Sequence, residues 1–441
     1  MSRKIKSVGI YTLGCKVNQY ESEAIAEEFE ARGYTVFPAD SVCDVYVINT
    51  CTVTAESDRK ARQFIRRAHS KKSDAPILVT GCFAQTSPDD ILSIEGVSYV
   101  CGNTNKLSVV NAAEELLRKD DDASLSFDKN CVSDIYGAPF EDMNIRKFDR
   151  TRAYVKIEDG CENRCTYCII PSARGLVRSK RPEDVVSEVK MLTEGGCKEV
   201  VLTGIETASY GKDLEGTDLA DIICRVDKIE GIGRVRLGSL DPSLITDRFV
   251  EKIKNVSSLA HHFHLSLQSG SDRILALMKR KYNSSMAMRA IERLREAFPE
   301  AQFTTDVIVG FPGETEEDFQ HTLDFAKKAN FLKIHIFPYS KRAGTPAATM
   351  PNQLSKQVKH ERLVRLSEVE AETRFKILTD IASKNDVYDV LFETFEGGKA
   401  IGHTQNFIEV SVPSSLPLHS ITKTVRLLTT DGNVCFGEIL R

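Results

Sequence analysis

Three cysteines, Cys161, Cys165 and Cys168, fall within eight residues of the stretch GCENRCTYCIIP. Thiolates at this spacing are ligands for zinc or for iron–sulfur clusters. A closed structural zinc site takes four ligands, so three leave a metal position open, and an open position is where a metal centre does chemistry. A zinc knuckle completed by a distant fourth ligand, or loop cysteines without metal, would give the same local pattern. Three more cysteines stand apart: Cys15 in YTLGCKVNQYES, Cys51 in VINTCTVTAESDRK and Cys82 in VTGCFAQ. Each sits at or just past the end of a predicted strand. Strand ends of a parallel sheet share one edge, so thiols 36 and 31 residues apart can converge into a second three-thiolate site. For any one of them, a buried free cysteine is the plain alternative.

Both sets need strands to position them. Residues 7–118 alternate apolar runs (SVGIYT, VCDVYVINT, PILVTG) with helical patterns at 20–32 and 54–72. That alternation predicts a small parallel α/β sheet with helices on its faces. Residues 119–146 are charged and aperiodic and read as a linker. Candidate strands follow at 153–157, 199–203, 234–238, 263–267, 303–309 and 333–338, separated by helical patterns such as 182–194 and 314–330. Six βα repeats suit an open partial barrel, a (β/α)6 unit spanning 147–378, with its last part in a long charged helix at 354–383. Cys161, Cys165 and Cys168 follow the first of these strands, at the carboxyl end where such folds place their chemistry. From Asp386 the helical period gives way to β-branched alternation with Gly-Gly and Asp-Gly turns, so 379–441 reads as a small antiparallel barrel.

Composition narrows the class. The 441 residues suggest two to four domains at ~100–200 residues each. A net charge of −4 excludes a global basic field, so nucleic acid would have to be met by local patches. One is RKARQFIRRAHSKK, with seven Lys/Arg and no acid, which nominates Arg59, Lys60, Arg62, Arg66 and Arg67 as phosphate contacts. Arg174 and Arg178, near Lys180 and Arg181, form a smaller patch. Residues 386–441 carry four Lys/Arg against seven Asp/Glu, which is acidic for an RNA-binding barrel, although Lys399 and Lys423 could still make placed contacts. No apolar run approaches the ~18 residues that span a bilayer, and the N-terminus lacks the apolar core of an export signal. The expected setting is the cytoplasm, where twelve cysteines are metal ligands or buried apolar residues rather than disulfides.

CENRCTYC, with Tyr167 before its last cysteine, resembles the signature of the radical S-adenosylmethionine (SAM) superfamily. The resemblance implies a [4Fe–4S] cluster whose free iron binds the methionine end of SAM, and reductive cleavage to a 5′-deoxyadenosyl radical. It also implies SAM contacts at Ser266 and Gln268 in HLSLQSGSDRIL and at Gly310 and Gly313 in DVIVGFPGETEEDF. Taken with Cys15, Cys51 and Cys82, nearly the whole chain resembles the methylthiotransferase family. That family has an N-terminal domain (here 5–118), a radical core and a C-terminal RNA-binding barrel of the TRAM type. The resemblance implies that Cys15, Cys51 and Cys82 hold an auxiliary [4Fe–4S] cluster. Cys43, Cys101, Cys131, Cys197, Cys224 and Cys435 match no ligand position. The implied reaction inserts an already methylated sulfur at an inert C–H bond. LGCKVNQYESE, CIIPSARGLVRSKRPEDV and VVLTGIETASYG lean towards the branch acting on threonylcarbamoyladenosine at tRNA position 37, with Glu206 and Ala208 as departures. The implied partners are tRNA, a flavodoxin-type electron donor and a sulfur source, with no membrane. Other readings are an isopentenyl-type tRNA adenosine, a ribosomal-protein aspartate, or a non-catalytic iron–sulfur or zinc RNA-binding protein.

Overall fold

The computed structural model describes residues 6–118, 128–148 and 150–440. Its first sheet has six parallel strands: β1 (Ser7–Thr12), β2 (Thr35–Pro38), β3 (Val45–Thr50), β4 (Ile77–Gly81), β5 (Val97–Cys101) and β6 (Asn130–Cys131), in the order β2-β1-β3-β4-β5-β6. VYVINT and ILVTG are buried along their whole length, as central parallel strands covered on both faces must be. The strand order reverses between β1 and β3, the switch point where open α/β sheets leave a crevice at the carboxyl ends. Helix α1 (Lys16–Ala31) follows β1 and helix α2 (Ala55–Lys71) follows β3. Thr54 caps α2 by accepting from the Ser57 amide, whereas Cys15 holds the N-cap position of α1 with no side-chain cap bond. The thiol that stands in place of the usual Ser, Thr or Asp caps no backbone amide and donates instead to Asn18 Oδ1 at 3.7 Å.

Residues 119–127 of the expected linker lie outside the described residues. The rest, 128–146, is packed rather than free: β6 pairs with β5, and Ile135, Met143 and Ile145 are buried.

The central unit contains β7 (Arg152–Lys156), β8 (Glu158–Asp159), β9 (Arg178–Ser179), β10 (Glu199–Thr203), β11 (Arg234–Leu237), β12 (His262–Gln268), β13 (Gln302–Val309) and β14 (Lys333–Pro338). The six long strands form two parallel three-stranded sheets, β11-β10-β7 and β12-β13-β14. Two parallel bridges, Val235 to Leu259 and Leu240 to Leu265, join them into one open curl. The short antiparallel pair β8/β9 brackets the cysteine loop, where the Cys161 amide donates to the Gly175 carbonyl at 3.0 Å. Gly160 is required there: φ is +90°, and a Cβ would lie 1.8 Å from the Leu176 carbonyl oxygen.

The tail is a closed barrel of β15 (Val387–Glu396), β16 (Lys399–His403), β17 (Glu409–Pro413), β18 (Thr422–Thr430) and β19 (Cys435–Ile439), in the order β15-β16-β17-β19-β18. Four of its seams are antiparallel, as expected, and one, β17/β19, is parallel. The reason is topological, since an odd ring of strands cannot alternate direction all the way round. The barrel is docked under the amino ends of the core strands. Gln405 donates to the Leu259 carbonyl at 2.8 Å, Arg234 to the Thr404 carbonyl at 3.2 Å, and Phe407 stacks on His262 at 4.4 Å.

Glu199 anchors this floor. It is fully buried and pairs with Arg236 at 2.7 Å, Arg152 at 3.1 Å and Arg234 at 3.1 Å. Burial alone would raise its pKa, but the guanidinium groups of Arg236, Arg152 and Arg234 outweigh this and hold it at about 2. A depressed carboxyl contributes stability above its unfolded pKa of roughly 4.3 and loses it as pH falls towards the folded value. Glu199→Gln should therefore lower unfolding free energy at pH 7 by about 3 kcal/mol or more. Its difference from wild type should shrink between about pH 5 and pH 2 in urea titrations. An unchanged difference across that window would show that the carboxylate charge is not what holds the floor.

Candidate metal centres and the cleft between them

Cys15 caps α1, Cys51 follows β3 and Cys82 opens the short helix Cys82–Thr86 after β4. The three strand ends bring them together. A Cβ on Gly14 would lie 2.8 Å from the Cys51 Cβ, so the Cys15 and Cys51 loops touch. Desolvation pushes the Cys15 thiol up, against the pull of Arg174, and Cys82 adds to the push. Desolvation, then Cys82, pushes Cys51 up to about 12. In the second set, desolvation and then Glu206 raise Cys161, while desolvation carries Cys168 up to about 12. Thiols this costly to ionise become thiolates when a multivalent cation pays the electrostatic cost.

Each set is also provided with N–H donors to sulfur. Arg174 Nε donates to Cys82 Sγ at 3.2 Å and Arg280 Nη1 to Cys165 Sγ at 3.2 Å. The Val53 amide lies 3.5 Å from Cys51 Sγ, and the Asn163 and Ile170 amides donate to Cys161 and Cys168. Among the described residues, His264, Asp306 and His335 form a group whose ligand atoms all lie within 4.8 Å of one another. Each cysteine set instead offers sulfur alone and three ligands, a donor set that fits a polynuclear cluster with one open iron.

One cleft, with about 1380 Å³ of atom-free space including its open mouth, is lined by one cysteine of the N-terminal set and all three of the core set; Cys51 and Cys82 are not among its lining residues. Cys15 lines it from the N-terminal domain, and Cys161, Cys165 and Cys168 line it from the core. Ser266 and Gln268 also line it, at a bulge in β12 where Gln268 takes φ +67°. Gly310 and Gly313 are not among the lining residues; β13 instead presents Asp306 and Ile308. The two glycines form the turn beyond. Gly310 receives the Lys359 side chain of the helix Lys356–Ser383, and Gly313 donates to the Asn352 carbonyl at 2.9 Å.

Arg174 and Arg178 do not serve as phosphate contacts, because both are buried, at 0% and 7% exposure. Arg174 pairs with Glu21 at 2.6 Å and Asp159 at 3.1 Å and donates to Asn18. Arg178 pairs with Asp159 at 3.4 Å. Lys106 and Lys156 also pair with the buried Glu21, whose pKa is driven well below normal: Arg174, Lys106 and Lys156 overcome the desolvation that would raise it. On α2, Arg59, Lys60, Arg66 and Arg67 are exposed and Arg62 is partly so. Arg59 pairs with Glu56 and Arg62 with Asp90. Val53 and Thr54, at the foot of this helix, line the cleft.

Sequence reasoning missed Arg280, Asn163 and Asp306. Arg280 sits in an undistinguished basic triplet, and only the fold brings it to Cys165 and, at 2.8 Å, to Asp241. Asn163 donates to Glu206 at 2.8 Å, tying the cysteine loop to the segment that carried the departure.

Replacing Arg174 with Met removes the guanidinium from Cys82 and leaves Glu21 with two lysines. After anaerobic iron–sulfur reconstitution, Arg174→Met should hold roughly four irons per chain where the wild type holds roughly eight. The Cys161 set serves as the internal control. Eight irons in the variant would remove Arg174 from the account, and one zinc with no iron in the wild type would remove the clusters.

Residues 155–326 match the Radical SAM superfamily, and residues 7–102 match the uncharacterized protein family UPF0004. The threonylcarbamoyladenosine tRNA methylthiotransferase MtaB of Bacillus subtilis is 42% identical over 414 residues, covering 92% of this chain and 90% of that protein. MtaB of Thermotoga maritima is 42% identical over 366 residues, 82% of each chain. The tRNA-2-methylthio-N(6)-dimethylallyladenosine synthase of a Hydrogenobaculum species is 34% identical over 419 residues, 92% of this chain and 93% of that one. Among solved structures, the radical SAM methyltransferase TsrM of Kitasatospora setae, with cobalamin and a [4Fe–4S] cluster, covers 78% of this chain and 77% of its own. It does so at TM-score 0.55 and 16% identity, a likeness of fold. Identity at this level across nine-tenths of the length, over a cleft lined by Cys15 and the three core cysteines, shows that the chain belongs to the radical SAM methylthiotransferases of the MtaB type.

Proposed function

We propose that this chain converts N6-threonylcarbamoyladenosine at position 37 of tRNA into its 2-methylthio derivative. The observation that carries the reading is the single cleft lined by Cys15 together with Cys161, Cys165 and Cys168. Removing a hydrogen from an inert carbon and placing sulfur on the same carbon requires both tools to reach one atom. The substrate is drawn from the relatives at 42% identity, both named for threonylcarbamoyladenosine, against 34% for the dimethylallyladenosine enzyme.

When bound, SAM and the two [4Fe–4S] clusters supply the carbon-centred radical, the sulfur and the methyl group. Cys161, Cys165 and Cys168 would hold the radical-generating cluster and Cys15, Cys51 and Cys82 the auxiliary one. Arg280 and Arg174 steady them by donating to sulfur. Ser266, Gln268 and Ile308 form the wall beside the first set and are assigned to SAM. The exposed cations Lys60, Arg66 and Arg67 on α2, above the cleft edge at Val53 and Thr54, are assigned to the tRNA backbone. The acidic tail barrel docks on the core through Gln405, Asn406 and Phe407 and is assigned a supporting role in RNA binding. The reading divides the chain into 5–118, 147–378 and 379–441. It needs a one-electron reductant of the flavodoxin type and a sulfide source. No helix of the described residues is long and apolar enough to cross a membrane, and we place the enzyme in the cytoplasm with its tRNA.

Nucleoside mass spectrometry of tRNA from a strain lacking this gene tests the reading. The 2-methylthio-threonylcarbamoyl nucleoside should disappear and its unthiolated precursor accumulate. Persistence of that nucleoside, with loss of another methylthio nucleoside, would assign the chain to a different branch.

A further inference from the structure

Two apolar side chains stand exposed on the walls of the cleft, one from each domain. Val53 is 52% exposed and Phe337 is 45% exposed, and both line it. A lone exposed apolar residue is ordinary, but a pair brought from two domains into one cavity is a binding feature.

The fold holds the two close. Phe337 stands at the carboxyl end of β14, and Val53 follows Cys51 just past β3. Beyond each of them the two segments are tied together. The Ala55 amide donates to Ser340 Oγ at 3.2 Å, and Arg342 donates to Thr52 Oγ1 and pairs with Asp58 at 2.7 Å. The Val53 amide also lies 3.5 Å from Cys51 Sγ, which puts this slot beside the N-terminal cysteine set. On the other side, Phe337 is the register partner of Ile308, so the two side chains share one face of the sheet.

The other aromatic rings of the cleft are already engaged. Tyr167 and Tyr339 pack into a buried cluster with Ile308, and Tyr339 meets Phe311 edge-on at 5.6 Å. Among the described residues, the Phe337 ring stacks on no other aromatic ring and carries no cation. An exposed, unstacked ring in a cavity is a platform for a flat heteroaromatic ring.

We propose that Phe337 is the stacking platform for the adenine ring of the substrate nucleotide, with Val53 closing the slot from the N-terminal domain. The inference rests on the reading above that the substrate is a tRNA adenosine, and deepens it by naming what holds the base. A base in an RNA loop enters a protein cavity only when it leaves its stacked neighbours, and a protein ring replaces the stacking lost. The slot lies between the wall assigned to SAM, through Ile308, and the N-terminal set, through Val53. A ring held there has the radical source on one side and the sulfur on the other, as reaction at a single carbon requires. The adenine of SAM is the other flat ring in the reaction, and the buried wall of Tyr167, Tyr339 and Ile308 beside the core cysteines suits it better than the exposed Phe337.

The test is equilibrium binding of anticodon stem-loops to the reconstituted protein, with SAM and no reductant. One loop carries threonylcarbamoyladenosine at position 37 and another an abasic ribose there. The wild type should prefer the first by about 10-fold or more. Phe337→Ala, folded by circular dichroism, should lose most of that preference and keep the wild-type affinity for the abasic loop and for SAM. Phe337→Tyr should restore the preference. A Phe337→Ala protein that keeps the wild-type ratio overturns the proposal. So does one that loses affinity for SAM and not for the loop, which would put the adenine of SAM on Phe337. Stacking reads the ring and not its N6 substituent, so the substrate reading fails separately. A preference over the abasic loop seen only with dimethylallyladenosine at position 37, and lost in Phe337→Ala, would change the substrate and support the platform.

Discussion

One buried guanidinium joins the two halves of the chemistry. Arg174 belongs to the segment just after the core cysteines, yet its partners are Glu21, Asn18 and Cys82 of the N-terminal domain, with Asp159 on its own side. A charge with no solvent exposure survives only if every hydrogen-bonding direction is met, and removing one partner of such a pair typically costs about 3–5 kcal/mol. That requirement fixes α1 against the core cysteine loop and so fixes one cysteine set against the other. Lys106, Lys156 and Arg178 add cations around Glu21 and Asp159, leaving positive charge in excess beside Cys82. A thiolate-ligated cluster is anionic overall, so the excess is of the sign that would hold it.

The lower end of the core follows a similar logic with a different closure. An open curl of six parallel strands leaves a polar lumen, and here Arg152, Glu199, Arg234, Arg236 and His262 fill its floor. The tail barrel seals that floor through Phe407, which stacks on His262 and His403 and lies under Arg236. Its acidic composition is partly explained by this docking, since Glu393 pairs with Arg152 and His403. The barrel therefore has a structural task that does not depend on a basic surface.

Much of this was legible in the sequence where pattern and chemistry coincide. The strand at 199–203 was read to the residue from its apolar run, and the convergence of Cys15, Cys51 and Cys82 followed from their equivalent strand-end positions. What was not legible depends on distant partners. Arg174 looked like surface charge, and only Glu21, 153 residues away, makes it a buried strut. Gly310 and Gly313 read as a cofactor cradle, but glycine at positive φ serves a tight turn equally well, and of the two Gly310 lies against Lys359 of the long helix while Gly313 donates to the Asn352 carbonyl before it. The two-residue strands β8 and β9 are too short to carry a period. The segment before the core read as a linker because Ile135, Met143 and Ile145 are buried at irregular spacing.

The central claim is that both cysteine sets open on one substrate cavity, held there by Arg174. Electron paramagnetic resonance of the reconstituted wild type, with both clusters reduced, measures it directly. Clusters facing one cleft are close enough for their spins to interact. The spectrum should then differ from the sum of those given by two variants, one lacking Cys15, Cys51 and Cys82 and the other lacking Cys161, Cys165 and Cys168. A spectrum equal to that sum would place the clusters too far apart to work on one carbon and would contradict the account.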